Sequence, residues 1–264
     1  MPITLTNQNN GGGIILSNIN NGNIALSLTP STPSGNIITS GLFMELDASD
    51  YTSGVWVDRT GNGNNGTING ATWSSTDGGI FDFDGINDTI SIPHNINLSL
   101  STIVQKTIQV WVKFDSAATG SNRKILFSKL SGGFSFDGYF GGIDSSRRTV
   151  VATNGTAIAR TTTSTLTVNL DTWYLFTFIS QITGTSNTTK IYINETEFAS
   201  SAHGTDGYSE ANPLTLGYMP APLTGLGLIE YLDGKVGACY FYTKGLSLAE
   251  ISTNYNATKA KYGL

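Results

Sequence analysis

Thr107-Ile108-Gln109-Val110-Trp111-Val112-Lys113-Phe114 decides the fold class. Ile108, Val110, Val112 and Phe114 alternate with Thr107, Gln109, Trp111 and Lys113. A period of two places one set on a core and the other toward solvent, the pattern of a half-buried β-strand. The same signal recurs on both sides of it. Ile80-Phe81-Asp82-Phe83 puts two Phe rings on one face, and Leu214-Thr215-Leu216-Gly217 repeats the alternation. Ile191-Tyr192-Ile193 runs into Asn194-Glu195 as a hairpin. Trp173 to Ile179 is apolar on both faces, as in a central strand covered on both sides, and the apolar run Val236 to Tyr242 completes the set of strands. One helix is indicated. Ser247-Leu248-Ala249-Glu250 reads as a capping box, with Leu248, Ile251 and Tyr255 on one face and Gly263 beyond the end.

The rest of the composition agrees. The 264 residues are 39% hydrophobic but only 12% charged, with 31 Gly. This suits many short strands joined by tight turns. The expected architecture is all-β: an antiparallel jelly-roll β-sandwich with one short C-terminal helix and an N-terminal arm of short strands. A net charge of −5 argues against nucleic acid, whose phosphates require clustered Lys and Arg. No apolar run is long enough for membrane insertion, and the first residues lack the charge and apolar block of a signal peptide. Cys239 is alone and sits in an apolar run, so it reads as a small buried hydrophobe.

Residues 1–40 form the arm and linker. Ile3-Thr4-Leu5-Thr6 is echoed by Ile14-Ile15-Leu16-Ser17 at a period of about eleven residues, and more briefly by Ile24-Ala25-Leu26-Ser27. In each copy the pairs Ile3 and Leu5, Ile14 and Leu16, Ile24 and Leu26 share one face. Strands this short bury too little to stand alone. Either they dock on a partner's sheet edge or on the chain's own domain, residues 41–264, or the repeat is the chance product of a flexible, low-complexity leader.

Within that domain several stretches resemble the laminin-G-like jelly rolls of the concanavalin-A-like superfamily. Asp58-Arg59-Thr60-Gly61-Asn62-Gly63-Asn64-Asn65-Gly66-Thr67 is similar to the family's Asp-x-Ser-Gly-Asn-Gly-Asn-x-Gly opening. Phe83-Asp84-Gly85 followed by Ile90-Ser91-Ile92-Pro93 resembles its Phe-Asp-Gly hairpin. The strand around Trp111, the start at Asp171-Thr172-Trp173-Tyr174 and the end from Gly234 through Glu250-Ile251 fit in the same order. The resemblance spans Leu42 to Tyr255. Two departures stand out: Gly237-Ala238 where many relatives carry an acidic pair, and Asn194-Glu195 where they usually carry Asn-Gly.

Each chemistry found in that superfamily was sought in the residues. No cofactor is required; calcium is the possible one, with oxygen ligands from Asp58, Asn62 and Asn64 in one loop and Asp84, Asn87 and Asp88 in the next hairpin. The competing reading is that Asp, Asn and Gly simply build tight turns. Glycan contact would use ring faces in Gly- or Ser-rich loops: Tyr51, Trp56, Trp73, Tyr139 and Tyr208. Trp111 and Trp173 lie on strands and read as core. The string nearest to a glucanase motif is Glu45-Leu46-Asp47-Ala48-Ser49-Asp50, whose last acid is a methylene short and whose place in the chain is wrong. His94 and His203 lack metal spacing.

No enzyme activity is therefore expected. The expected role is a virion structural or adhesion protein, a capsid-decoration or tail-fibre component of a tailed bacteriophage. It would be made in the host cytoplasm and displayed on the virion surface. The arm would contact other virion proteins in an oligomeric assembly, and the lectin-like domain would meet neighbouring subunits or host-surface glycans. Two further readings stay open: a polysaccharide hydrolase using Glu45 and Asp47, and a cell-surface adhesion module.

Overall fold

A computed structural model describes residues 36–51, 53–99, 105–120, 122–130, 138–153, 161–183, 186–204, 211–219 and 229–264. The strands in chain order are β1 (Leu42–Asp47), β2 (Val55–Trp56), β3 (Gly66–Asn69), β4 (Thr72–Ser74), β5 (Ile80–Asp84), β6 (Thr89–Ile92), β7 (Gln105–Phe114) and β8 (Arg123–Leu130). They continue with β9 (Gly138–Asp144), β10 (Arg148–Thr153), β11 (Thr161–Thr167), β12 (Trp173–Thr183), β13 (Ser186–Ile193), β14 (Thr196–Gly204), β15 (Leu214–Leu216), β16 (Ile229–Glu230) and β17 (Asp233–Tyr242). The helix is α1 (Leu248–Thr258). An eight-stranded sheet has the order β14-β13-β12-β7-β17-β5-β4, with β1 also on β17. A nine-stranded sheet has the order β11-β10-β9-β8-β15-β6-β3-β2, with β16 also on β8. β16 runs parallel to β8, whereas β7, β12 and β17 at the centre of the first sheet pair antiparallel.

Alternation fixes what lies between the sheets. Ile108, Val110, Val112 and Phe114 of β7, Phe176 and Phe178 of β12, and Phe81 and Phe83 of β5 meet Ile90, Ile92, Phe127, Leu214 and Leu216 from the other sheet. Two stacked antiparallel sheets with one C-terminal helix make a β-sandwich of the concanavalin-A-like jelly-roll kind. Cys239 belongs to this core, and burial pushes its thiol up to about 12.

The half-buried reading of β7 is corrected by its second face. Thr107, Gln109 and Trp111 are fully buried, because the outer face of the eight-stranded sheet is covered in turn. The cover is α1, the turn after it, and Ile37 and Ile38. Ser247 and Glu250 form the expected capping box. The helix face differs from expectation at one end: Leu248 is 54% exposed, and the sheet is met by Ile251, Asn254 and Tyr255. Beyond the helix, Tyr262 inserts beside Trp111 and Trp173, with ring centroids at 4.3 and 4.6 Å. It lies so flat on β17 that a Cβ on Gly237 would come within 2.4 Å of its ring and hydroxyl. The unusual Gly237 is thus the seat for this ring.

A buried polar knot ties the cover down. The Asn254 amide donates to Gln109 Oε1 at 2.6 Å and to Tyr242 Oη at 2.8 Å, and its oxygen accepts from the Ile38 amide at 2.7 Å. Gln109 also donates to Thr177 Oγ1 at 3.0 Å. The stretch around Ile38, assigned to the arm by sequence, is therefore held by the domain. In the β13–β14 hairpin Asn194 takes the left-handed conformation at φ 56°, and its side-chain oxygen accepts from the Leu175 amide. That is how Asn-Glu serves where Asn-Gly was the norm. The arm positions Ile3, Leu5, Ile14, Leu16, Ile24 and Leu26 lie outside the described residues.

Candidate functional site

The oxygen-rich loops come first, because each of their three carboxylates already accepts hydrogen bonds from the chain. Asp58 Oδ1 accepts from the Glu45 and Thr60 amides and the Thr60 hydroxyl at 2.8–3.0 Å. Its Oδ2 accepts from the amide and side chain of Asn64 at 3.1 and 3.0 Å. Asn62 and Asn64 each donate a side-chain N–H to the Phe43 carbonyl at 3.0 Å. The loop is a knot around one carboxylate, fastening residues 58–65 to β1. The next hairpin is internally paired too. Asp84 Oδ1 accepts from the Ile86 and Asn87 amides, and Asp88 Oδ2 accepts from the Asp84 amide. Burial, together with the charges of Asp84 and Asp82, raises the Asp88 carboxyl above its ordinary value. Asn87 is exposed at the turn. Among the described residues no three His, Cys, Asp or Glu side chains are grouped to hold a metal ion.

The aromatic candidates divide. Trp56 and Tyr139, expected in Gly- or Ser-rich loops as glycan contacts, are instead fully buried strand residues. Trp56 packs on Phe81 at 4.9 Å, and Tyr139 sends its hydroxyl to the Leu98 carbonyl at 2.8 Å, so neither ring offers a free face. Both rings sit on strands, Trp56 at the end of β2 and Tyr139 in β9, and face inward. Tyr208 lies outside the described residues. Trp73 stays at the surface, 36% exposed, on edge strand β4 opposite Phe81. Its indole N–H donates to the Ala48 carbonyl at 2.8 Å, which fixes the ring. Tyr51 lies 5.8 Å away, packed edge-on against Phe81 and accepting from the Gly54 amide. These two rings close the sandwich at the side where β4 and β2 end the two sheets.

A second surface escaped the sequence reading. The helix covers one sheet; on the outer face of the other, no helix lies among the described residues. Ile68, Ile90 and Leu216 point inward, so their neighbours Thr67, Ser91 and Thr215 point out. Register aligns these in one transverse row: Val55 opposite Thr67, Thr67 opposite Ser91, Ser91 opposite Thr215, and Thr215 opposite Ser128. Val55 and Thr67 are exposed, and Ser91 and Thr215 half-buried. At the far end Ser128 donates its hydroxyl to the Tyr218 carbonyl at 2.7 Å. Tyr218 stacks on Tyr231 with centroids at 4.2 Å and planes 10° apart, and burial, then Tyr231, raises its phenol above the ordinary value.

This sandwich can be set against known proteins. The family model described as Concanavalin A-like lectin/glucanases superfamily, a laminin-G type, matches residues 83–252. The chain belongs to that superfamily. No curated protein matches the chain in sequence. Among solved structures, Trypanosoma rangeli sialidase in complex with sialic acid is similar at TM-score 0.63 and 15% identity, over 95% of this chain and 36% of that one. Domain 4 of AbnA, a GH43 extracellular arabinanase from Geobacillus stearothermophilus in complex with arabinotriose, is similar at TM-score 0.59 and 14% identity. There the cover is 83% of this chain and 98% of the other. The botulinum neurotoxin serotype D/C binding domain gives TM-score 0.61 and 14% identity, over 83% and 52%. The chain thus spans about a third of the sialidase, and at these identities the likeness is one of fold.

Lectins and glucanases share this superfamily, so the acids of β1 bear on which kind the chain is. Glu45 and Asp47 lie on one strand face, and Arg59 bridges them at 3.1 and 3.2 Å while also pairing with Asp50. Lys261 pairs with Asp47 from the C-terminal turn. Burial raises the Asp47 carboxyl, but Lys261 and then Arg59 outweigh it and hold the group below its ordinary value. Glycoside hydrolysis pairs a carboxyl kept protonated near neutral pH with an ionised one, and the shift of Asp47 is that of the ionised partner only. The cluster has the form of a clamp joining β1, the Asp58 loop and the chain's C-terminal turn.

Proposed function

We propose that this chain is a non-enzymatic, carbohydrate-binding adhesion domain whose contact surface includes Trp73 and Tyr51. One observation carries the reading: Trp73 holds its ring at the surface with the indole nitrogen already bonded to the Ala48 carbonyl and Tyr51 alongside. A ring fixed before binding loses little entropy when a sugar face stacks on it. The neighbouring carboxylates, largely buried Asp47 at the end of β1 and exposed Asp50, are engaged by Lys261 and Arg59, consistent with binding without cleavage.

The test is binding of the full chain to a panel of immobilised glycans, comparing wild type with Trp73→Ala and Trp73→Phe. Stacking on an aromatic ring is expected to leave Trp73→Phe with partial affinity and Trp73→Ala more than tenfold weaker, measured well below the melting temperature of each variant, which loss of the bond to Ala48 lowers. Equal affinity of all three on every glycan bound overturns the reading. The hydrolase alternative predicts reducing ends released from glucans and lost in Glu45→Gln.

The finer proposal is that the domain is displayed on a virus particle, with residues 1–35 as the anchor. The eleven-residue repeat of Ile-x-Leu strands supports it, since such strands need a partner edge. Particles assembled with a chain lacking residues 1–35 are expected to omit it; undiminished incorporation rejects the anchor role.

A further inference from the structure

The row across the face on which no helix lies among the described residues, open at Val55 and Thr67 and closed at the buried Ser128, suggests which glycans would be bound, and this inference rests on the reading just given. Its members are far apart in sequence, yet register places Val55, Thr67, Ser91 and Thr215 side by side on four adjacent strands. Adjacent strands lie about 4.8 Å apart, close to the width of one sugar ring. The row starts at Val55, next to Gly54, whose amide donates to the Tyr51 hydroxyl beside Trp73. It ends where Ser128 is bonded to the residue carrying the Tyr218 and Tyr231 stack. A path therefore runs from one aromatic pair, over a line of hydroxyls, to a second aromatic pair.

The side chains on that path are neutral. Thr67, Ser91 and Thr215, with Asn69 and Thr89 in the next outward-facing row, offer hydroxyls and an amide but no ammonium or guanidinium group. A carboxylated sugar would find no cation in these two rows, the Lys124 ammonium at the Tyr231 carbonyl being paired with Glu230, and would meet a chain of net charge −5. The hydroxyls can both donate to and accept from sugar hydroxyls. We infer that the ligand is a linear, neutral polysaccharide lying across the strands of the nine-stranded sheet, several sugar units long, from the Trp73 edge toward Tyr218.

The experiment measures affinity of the full chain for neutral linear oligosaccharides (laminari-, cello-, xylo- and arabino-series, disaccharide to hexasaccharide) and for a sialylated oligosaccharide. Thr67→Val, Ser91→Ala and Thr215→Val are tested singly and together, since Val suits a strand as Thr does and Ala removes only the Ser91 hydroxyl. The expected result in one neutral series is affinity rising with length. The triple variant should lose about tenfold or more on the hexasaccharide while the disaccharide is unaffected, as for neutral hydrogen bonds of ordinary strength. Three outcomes overturn the inference. Affinity that stops rising at the disaccharide, with Trp73→Ala still abolishing it, leaves the Trp73 site standing but removes the row. Preference for the sialylated ligand removes the claim of neutrality. Absence of binding to any glycan removes both readings together.

Discussion

Replacing Asn254 by Ala tests how the outer face of the eight-stranded sheet is held. Asn254 is fully buried and makes three bonds, to the Ile38 amide, Gln109 Oε1 and Tyr242 Oη, at 2.6–2.8 Å. Each such bond contributes about 0.5–1.5 kcal/mol, and a buried group left without a partner costs about 1–3 kcal/mol. Ala gains roughly 0.5 kcal/mol of helix propensity, which offsets little. The Ile38 amide suffers most, because the backbone donor has no freedom to turn elsewhere. The net loss should be about 3–5 kcal/mol, which at roughly 2–4 °C per kcal/mol lowers the melting temperature by about 6–20 °C. Urea denaturation with fluorescence and circular dichroism measures it, with a check that the slope is unchanged so that the loss is one of stability. A loss below about 0.5 kcal/mol, the scale of an ordinary surface change, would refute the claim that this knot secures the cover.

Three more predictions follow from the same contacts. Tyr262→Ala removes the ring between Trp111 and Trp173 and should cost about 3–5 kcal/mol, while Gly237→Ala should cost about 1–3 kcal/mol by driving a methyl into that ring; thermal melts of both decide it, and two neutral variants would refute the packing. Asp58→Ala should destabilise by about 2–4 kcal/mol, whereas added calcium or chelator should leave the wild-type melt unchanged, because five protein donors already fill the carboxylate; a calcium-dependent melt would restore the metal reading. The Asp47 carboxyl lies below its ordinary 3.8 in the folded chain, so its contribution is present above that value and lost as pH falls through the folded value. Acid unfolding should accordingly be shallower in Lys261→Met, which removes the partner that lowers it; identical acid limbs would count against the clamp.

Strand periodicity was the legible part. Inward residues such as Ile108, Val110 and Val112 announce themselves because alternation survives in any register. The second layer of burial did not, since Gln109 and Thr107 look like solvent-facing positions and are covered only because Asn254 and Thr177 supply partners to Gln109, and the Lys244 carbonyl and Leu246 amide to Thr107. Gly237 read as a family departure; its reason, the Tyr262 ring, lies in a turn whose docking no local pattern encodes. The Asp58 and Asp84 loops illustrate a different limit. Carboxylates beside Asn and Gly suit calcium and tight turns equally, and only the direction of surrounding N–H groups separates them. Exposure of Trp73 and burial of Trp56 were likewise indistinguishable, because both sit near turn residues and differ only in which way the chain folds back. The hydroxyl row was invisible for a simpler reason: Thr67, Ser91 and Thr215 become neighbours through strand register alone.

The most direct test is an NMR titration of the four Trp indole N–H signals with a neutral oligosaccharide. Trp56, Trp111 and Trp173 are buried and should stay in place, while Trp73 alone shifts in proportion to saturation. A glycan that binds without moving the Trp73 signal, or that moves Trp111 and Trp173 beneath the helix instead, would contradict recognition at this edge.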